Sequence, residues 1–307
     1  MSVVFWKELA DHFSSRRFMI LLAIIVLTGV WAIYASGQSI RQDAESAPAE
    51  YAFLLLLTSQ SGGLLSLASF LALLGPLVGI MLGFDAISGE YARGTLSRVL
   101  SQPIYRDSLI NGKFLAGLAT VATLWASILL LVIGMGVVLV GFPPNAEELW
   151  RMLIFTGIGI IYVGFWLALA LLFSLLLQRT VTAALGSLAL WLFLAIFAPL
   201  IAQITANMIV PDPSTPEEVA RQTDVAAMIG RISPTTLYEE SVHVILNPTA
   251  RVLGAALEEQ TQGILLTPLA LGQSLLLILP QFMTLIALVG VCFGICYIKF
   301  MRTEIRA

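Results

Sequence analysis

Charged residues are scarce in this sequence of 307 amino acids. Only 11% of its residues are Asp, Glu, Lys or Arg, whereas 58% are hydrophobic. Soluble domains carry about 25% charged residues. The composition therefore argues against a water-soluble globule and favours a protein that lies within a membrane.

The sequence also lacks the motifs of a membrane enzyme or of a nucleotide-binding protein. It contains no His-Glu-x-x-His and no Gly-x-Ser-x-Gly pattern, and its two histidines, His12 and His243, are predicted on opposite sides of the membrane. The pair Gly112-Lys113 lacks the earlier glycine that a Walker A loop requires. We therefore expect no catalysis and no ATP hydrolysis by this chain.

Metal-binding and ion-coupling groups are scarce as well. The two cysteines, Cys292 and Cys296, are four residues apart without a nearby His or carboxylate, which favours helix packing over a metal site. Proton- or sodium-coupled transporters usually hold ionisable groups at membrane depth. Only Asp85, at the end of a predicted span, approaches that position, so a secondary transporter is disfavoured, and we expect no cofactor in this chain.

Long apolar runs are what the sequence does contain. A crossing helix needs about 20 apolar residues, and six runs near that length carry no Asp, Glu, Lys, Arg or His. They cover 18–34, 63–84, 114–140, 152–177, 181–201 and 274–297. We predict an all-α integral membrane protein with six transmembrane helices in one domain over 1–307.

The orientation of these spans follows from the distribution of charge. Eleven Lys and Arg residues adjoin one side and five adjoin the other, and the net charges of the two sides are +5 and −8. Because positively charged loops tend to stay in the cytoplasm, we predict that both termini are cytoplasmic. The eleven are Lys7, Arg16, Arg17, Arg93, Arg98, Arg106, Lys113, Arg179, Lys299, Arg302 and Arg306.

Two further helical regions lie outside the spans. Phe5, Leu9 and Phe13 recur at four-residue steps within 1–17, which predicts an amphipathic helix in the membrane interface. The segment 202–273 is predicted to be extracytoplasmic, with a glutamate-rich, solvated character, and either binds a partner protein or only covers the helix ends. A capping residue followed by proline recurs three times in it and predicts helices over 216–230, 234–246 and 248–260.

The segment 85–113 brings seven ionisable side chains between two apolar spans. It resembles the first cytoplasmic loop of ABC transporter permeases of the type 2 exporter class. The matching residues, in order, are Asp85, Ile87, Glu90, Gly94, Thr95, Leu96, Pro103, Arg106, Gly112 and Lys113. The Lys-Glu-Leu of Lys7–Leu9 also looks like the start of this family, and Asn247–Thr249 is similar to a motif of its nitrous-oxide-reductase-maturation subfamily.

Physical reasoning on the same segment predicts a helix-turn-helix. Ser88 is expected to cap a helix beginning near Glu90, Gly94 permits close approach of another backbone, and Pro103 ends the helix. The resemblance implies that this segment couples the permease to an ATPase; an interfacial hairpin held by lipid headgroups is the alternative. The expected coupling residues are Asp85, Glu90, Arg93, Gly94, Thr95, Arg98, Arg106 and Lys113.

Small residues form a stripe along the second span, which leads into the segment 85–113. Gly75, Gly79 and Gly83 recur every four residues, and such stripes allow close helix packing where lipid supplies no hydrophobic drive. We predict that they contact another helix, either in a moving role or only in packing.

The resemblance implies the membrane-spanning permease subunit of an ATP-driven ABC exporter in a bacterial or archaeal plasma membrane. Its expected partners are a cytoplasmic ABC ATPase dimer, which binds the ATP and Mg, a second permease subunit in a homodimer or with a related chain, and membrane lipid. We expect no nucleic-acid partner. The alternative is a membrane anchor or assembly factor that holds an extracytoplasmic protein and transports nothing.

Overall fold

A computed structural model of the chain describes residues 2–43, 51–60, 65–94, 105–211, 213, 215–248 and 268–302. Over these residues it is helical without any strand, and six helices are long and apolar enough to cross a membrane. This confirms the predicted fold class. Thr95, Arg98 and most of the predicted helix 248–260 lie outside the described residues.

The described part of the chain forms eleven helices, which we number α1 to α11. The six long ones, α2, α4, α6, α7, α8 and α11, alternate in direction through the bundle. The helices are α1 Ser2–Ser14, α2 Arg16–Asp43, α3 Ala52–Thr58, α4 Leu67–Gly83, α5 Ser88–Ala92, α6 Arg106–Val140, α7 Ala146–Leu176, α8 Thr180–Ile209, α9 Pro216–Gly230, α10 Pro234–Leu246 and α11 Leu271–Arg302.

Helix α7 lies at the centre of the bundle. In its most apolar stretch 78% of the residues are buried, against 17% in α8 and in α11. It packs against α4, α6, α8, α10 and α11. A side chain that anchors another element to α7 is therefore fixed to the most buried of the six long helices.

The glycine stripe of α4 faces α7. A Cβ atom on Gly79 would lie 2.6 Å from the carbonyl oxygen of Val163, and one on Gly83 would lie 2.8 Å from that of Leu167. At Gly75 the nearest atom would be a methyl carbon of Val163, at 3.0 Å. The absence of side chains at these positions thus lets the two helix backbones approach each other within one chain.

The outer face of α8 contrasts with this packed interior. The helix contains one π-helical turn, Phe193–Phe197, in which no residue is buried. Phe193 and Phe197 stack on each other at 5.4 Å between ring centroids, and each is about half exposed. The part of the chain that the structure describes therefore leaves this apolar face uncovered.

Helices α3, α9 and α10 gather at one end of the bundle, which we call the distal end. Helix α9 begins with a capping box in which Thr215 accepts from the backbone N–H of Glu218, as its sequence predicted. The solvated character predicted for this region is wrong for α10. Leu237, Val244 and Ile245 are at most 2% exposed because α10 inserts among α4, α7 and α11.

An arginine at the start of α7 ties the distal end together. The Arg151 side chain is fully buried, and its guanidinium pairs with Glu147 at 2.8 Å. It also donates to the carbonyl oxygens of Ile245 and Leu269 and to the hydroxyl of Ser274. One side chain thereby joins α7 to α10 and to the start of α11. Sequence reasoning did not single out Arg151, because its partners are distant in the chain.

Candidate functional site

The candidate site lies at the opposite end of the bundle, which we call the proximal end. There α1 and α5 meet the ends of α4, α6 and α7. Helix α1 lies against α6 because Gly112 has no side chain: a Cβ atom there would come within 2.9 Å of a methyl carbon of Val4. This close contact brings the next residue of α6, Lys113, under α1.

Lys113 forms the centre of a buried ionic cluster. Its Nζ lies 2.9 Å from Oε1 of Glu8 on α1 and 2.8 Å from Oε1 of Glu90 on α5. The three side chains are only 4%, 12% and 8% exposed, in the order Lys113, Glu8 and Glu90. Buried charges of this kind depend on their partners. The cluster therefore joins α1, α5 and α6 through one ammonium group.

The charges around α1 shift the pKa values of two of its side chains. Burial alone would raise the pKa of Glu8, but attraction to Lys113 and the hydrogen bond from it, with help from Lys7 and His12, hold that pKa below its usual value. Burial lowers the pKa of His12, against the attraction of Glu8. At neutral pH the site is thus set for an ionised Glu8 beside a neutral His12.

A serine of α7 holds the start of α5. The Ser174 hydroxyl, which is fully buried, accepts from the backbone N–H groups of Ile87, at 3.1 Å, and Ser88, at 2.9 Å. The prediction that Ser88 caps this helix is wrong. Ser88 lies inside the helix, and its hydroxyl donates to the carbonyl oxygen of Phe84, so that a side chain from another helix takes the capping role.

The remaining charged residues of the segment 85–113 lie nearer to the surface. Asp85 pairs with Arg17 at 3.3 Å, and the guanidinium of Arg17 also lies over the ring of Phe84, 5.6 Å from its centroid. Exposed pairs of this kind contribute little stability. Arg93 is exposed at the end of α5, and Arg106 is the first residue of α6.

Gly94 follows α5 with a φ of +65°. Side chains with a Cβ atom rarely adopt this left-handed conformation. No atom of the described residues lies within 4 Å of a Cβ built there. The glycine is therefore required by the turn of the backbone rather than by close packing within that part of the chain.

These groups surround a polar cavity of about 370 Å³. Of the predicted coupling residues, the cavity wall contains Asp85, Glu90, Arg93 and Lys113, whereas Gly94 and Arg106 lie outside it. Glu8, His12 and Arg17 also line it and were not predicted as coupling residues; the signal for Glu8 was the Lys-Glu-Leu resemblance. Within the described ranges no group of three His, Cys, Asp or Glu side chains could hold a metal ion. The arrangement is suited to binding and to transmitting motion.

The sequence of this chain is similar to those of known proteins. A sequence model described as "ABC-2 family transporter protein" matches residues 2–305. The chain belongs to the ABC-2 transporter family. The family predicted from the segment 85–113 is thus confirmed, and the chain is a multi-pass membrane protein of the ABC-2 family.

Two bacterial proteins carry the similarity further. The chain is 31% identical over 196 residues to a protein of Pseudomonas aeruginosa named "Probable ABC transporter permease protein NosY", a match that covers 61% of this chain and 64% of the relative. It is 36% identical over 108 residues to a protein of the same name from Stutzerimonas stutzeri, with 35% of each chain covered. The chain therefore spans less than two thirds of the length of these two relatives.

Proposed function

We propose that this chain is the membrane-spanning permease subunit of an ATP-driven ABC exporter. A separate ABC ATPase dimer would bind at the proximal end, hydrolyse ATP with Mg, and drive the helices of the permease. Membership of the ABC-2 family and the permease names of two relatives support this proposal. The proposed location is a bacterial or archaeal plasma membrane, with the proximal end in the cytoplasm.

The observation that carries the proposal is the burial of the Lys113 cluster beneath an exposed segment. A force applied at Arg93 acts on α5, and α5 is joined to α6 through Glu90 and Lys113. The same short helix is joined to the central helix α7 through Ser174. A push on the segment would therefore reach both helices without a flexible intermediate.

A second permease subunit would complete the transporter. Only 17% of the apolar stretch of α8 is buried within one chain, and its π-helical turn presents apolar rings outward. Helices in lipid associate through packing of their surfaces, because lipid tails are as apolar as the side chains. We infer that α8 faces either lipid or the second subunit, which is a copy of this chain or a related one.

The test uses the chain co-expressed with its cognate ATP-binding cassette ATPase and purified as a complex. Arg93→Glu reverses an exposed charge at the proposed contact, so capture of the ATPase and stimulated ATP hydrolysis should both fall. The matched control is Arg221→Glu on the exposed face of α9, which should leave both unchanged. Full capture and stimulation by Arg93→Glu would contradict docking at this segment.

A second variant separates docking from transmission. Lys113→Met removes the buried ammonium but no exposed contact, so the ATPase should still be captured while its stimulation is lost.

If the wild-type chain captures no ATPase, the anchor or assembly-factor role becomes the better explanation.

A further inference from the structure

A second cavity lies at the distal end, far from the proposed ATPase contact. It has a volume of about 460 Å³, within the range of roughly 300–1,000 Å³ that is typical of small-molecule sites. Four parts of the chain form its wall: the end of α3, the start of α4, the middle of α9 and helix α10. The cavity thus exists because α10 packs into the bundle while α9 lies beside it.

The wall is mostly apolar and is lined by short side chains. Ala68 and Ala72 contribute from α4, Ala226 from α9 and Val242 from α10. Short side chains on neighbouring helices leave room between them for another apolar body. The size of the cavity and the nature of its wall suit a small molecule.

Two glutamates on the wall differ in their partners. Glu240 is neutralised, since Arg231 pairs with it at 2.9 Å and Gln281 donates to it at 3.1 Å. Glu239 has neither an ion pair nor a hydrogen bond with the part of the chain that the structure describes. Its side chain reaches the surface, yet burial by the surrounding atoms raises its pKa. A carboxylate in such a place is stabilised by a cation that enters the cavity.

Among the described residues the cavity wall contains no Lys or Arg, and His243 is the one side chain there that can carry a positive charge. The wall also contains Tyr238, a fully buried residue whose hydroxyl finds no hydrogen-bond partner among the same residues. A phenol oxygen accepts a hydrogen bond readily, so a donor on a ligand could satisfy it.

The tyrosine is held rigidly in place. Its ring stacks on that of Tyr162 with 4.3 Å between centroids, and the Tyr162 hydroxyl donates to the carbonyl oxygen of Ala72 at 2.9 Å. Helix α10 is in this way fixed to α7 and α4 next to the cavity. A wall fixed before binding loses little conformational freedom when a ligand arrives.

From these observations we propose that the distal cavity binds a small organic amine with an apolar body. Its ammonium pairs with Glu239, and its body lies against Ala68, Ala226 and Val242. An anion is repelled by Glu239, and a neutral apolar molecule leaves that carboxylate without a partner. The proposal goes beyond the permease role and does not depend on it, because binding at this cavity requires no ATPase.

The test measures equilibrium binding by calorimetry on the full chain in lipid nanodiscs, with empty nanodiscs subtracted. The probes are 1-naphthylmethylamine and its neutral counterpart 1-naphthylmethanol, which have nearly the same shape. The amine should bind saturably and at least about tenfold more tightly, since hydrogen bonds to charged groups are worth more than neutral ones.

Three variants locate the site. Glu239→Gln should weaken the amine about tenfold and leave the alcohol unchanged. Ala226→Phe should fill the cavity and remove binding of both probes. The control Glu217→Gln changes an exposed carboxylate at the start of α9, the helix that contains Ala226, and should not change the binding of either probe.

Each of three results would overturn the proposal. The first is the absence of saturable binding of the amine. The second is equal affinity for the amine and the alcohol. The third is binding that neither Glu239→Gln nor Ala226→Phe weakens. Melting temperatures of the variants identify any loss of binding that is due to misfolding.

Discussion

At the scale of single residues, Arg151 shows how much one buried side chain organises. Its guanidinium donates to a carboxylate, a hydroxyl and two backbone carbonyls on three different parts of the chain. Removing one partner of such a network leaves the others buried without a donor, which costs more than the net value of the bonds. Arg151 therefore stabilises the packing of α7 against α10 and the start of α11.

We expect Arg151→Met to lower the free energy of unfolding by about 3 kcal/mol. The carbonyls of Ile245 and Leu269 would lose their donor, and the contact of α10 with α11 should loosen first. Thermal unfolding in detergent measures the effect. Arg221→Met, at an exposed position on α9, is the control and should change the melting temperature little. Equal melting temperatures for the two variants would contradict the structural role of Arg151.

The pKa shifts on α1 predict a dependence on pH. Native His12 resists protonation, so stability is complete above its usual pKa of about 6.5 and falls as the pH drops below it. The lowered pKa of Glu8 adds stability that is present above about 4.3 and is lost as the pH falls through its lower native value. Acidification should therefore loosen α1 in two steps.

Hydrogen exchange of the α1 amides from pH 7 to a pH well below 4, corrected for intrinsic rates, measures this loosening. Glu8→Gln should remove the second, more acidic step, because an amide does not titrate. Protection of α1 that stays constant over this range would show that the Lys113 cluster does not hold the helix.

At the scale of helices, the contact of α4 with α7 depends on the missing side chain at Gly79. A methyl group there would press on the backbone oxygen of Val163, which cannot move without shifting α7. We expect Gly79→Ala to destabilise the protein by about 1–3 kcal/mol.

Gly157→Ala is the matched control for this prediction. It lies on the partner helix α7, with no atom within 4 Å of an added Cβ. It should be neutral or slightly stabilising because alanine favours helix more than glycine does. Thermal unfolding of the two variants compares them directly, and equal behaviour would mean that the stripe is not a packing surface.

Helix limits show what local sequence can and cannot determine. The predicted helices over 216–230 and 234–246 coincide with α9 and α10, and both begin at a proline whose effect is local. Thr215 caps α9 as expected, whereas Ser233 makes no side-chain capping hydrogen bond at the start of α10. The long helices extend past the charge-free runs; α6 begins at Arg106, and the run begins at 114. A helix continues for as long as its backbone hydrogen bonds persist. The first charged residue after an apolar run therefore does not mark the end of the helix.

The proximal cluster could be predicted only in part, for a related reason. The family resemblance singled out Glu90 and Lys113 as coupling residues and matched Glu8 only as part of Lys-Glu-Leu. That Glu8 and Ser174 reach this site follows from tertiary packing. The contact of Gly112 with Val4 brings α1 to Lys113, and nothing in the spacing of the sequence specifies that contact. Contacts between residues that are distant in the sequence can be identified only once the fold is known.

At the scale of the whole molecule, the distribution of charge predicts which end faces the cytoplasm. We expect a membrane-impermeant maleimide to label Arg221→Cys in intact cells and to label Ser14→Cys only after the membrane is opened. Both positions are exposed, one on α9 and the other at the end of α1. The background should carry serine in place of Cys292 and Cys296, so that the introduced cysteine alone reacts. The reverse labelling pattern would contradict the predicted orientation and would mean that the proximal end lies outside the cytoplasm.

The reach of Arg151 along the chain has a consequence for biosynthesis. Its partners at Ile245, Leu269 and Ser274 are made 94 to 123 residues later. When α7 first leaves the insertion machinery, the guanidinium has only Glu147 beside it and must remain near water or a chaperone. Synthesis of α10 and of the start of α11 supplies the missing acceptors. A chain truncated before α10 would present an arginine without three of its four acceptors, a feature by which cellular quality control can distinguish unfinished copies from finished ones.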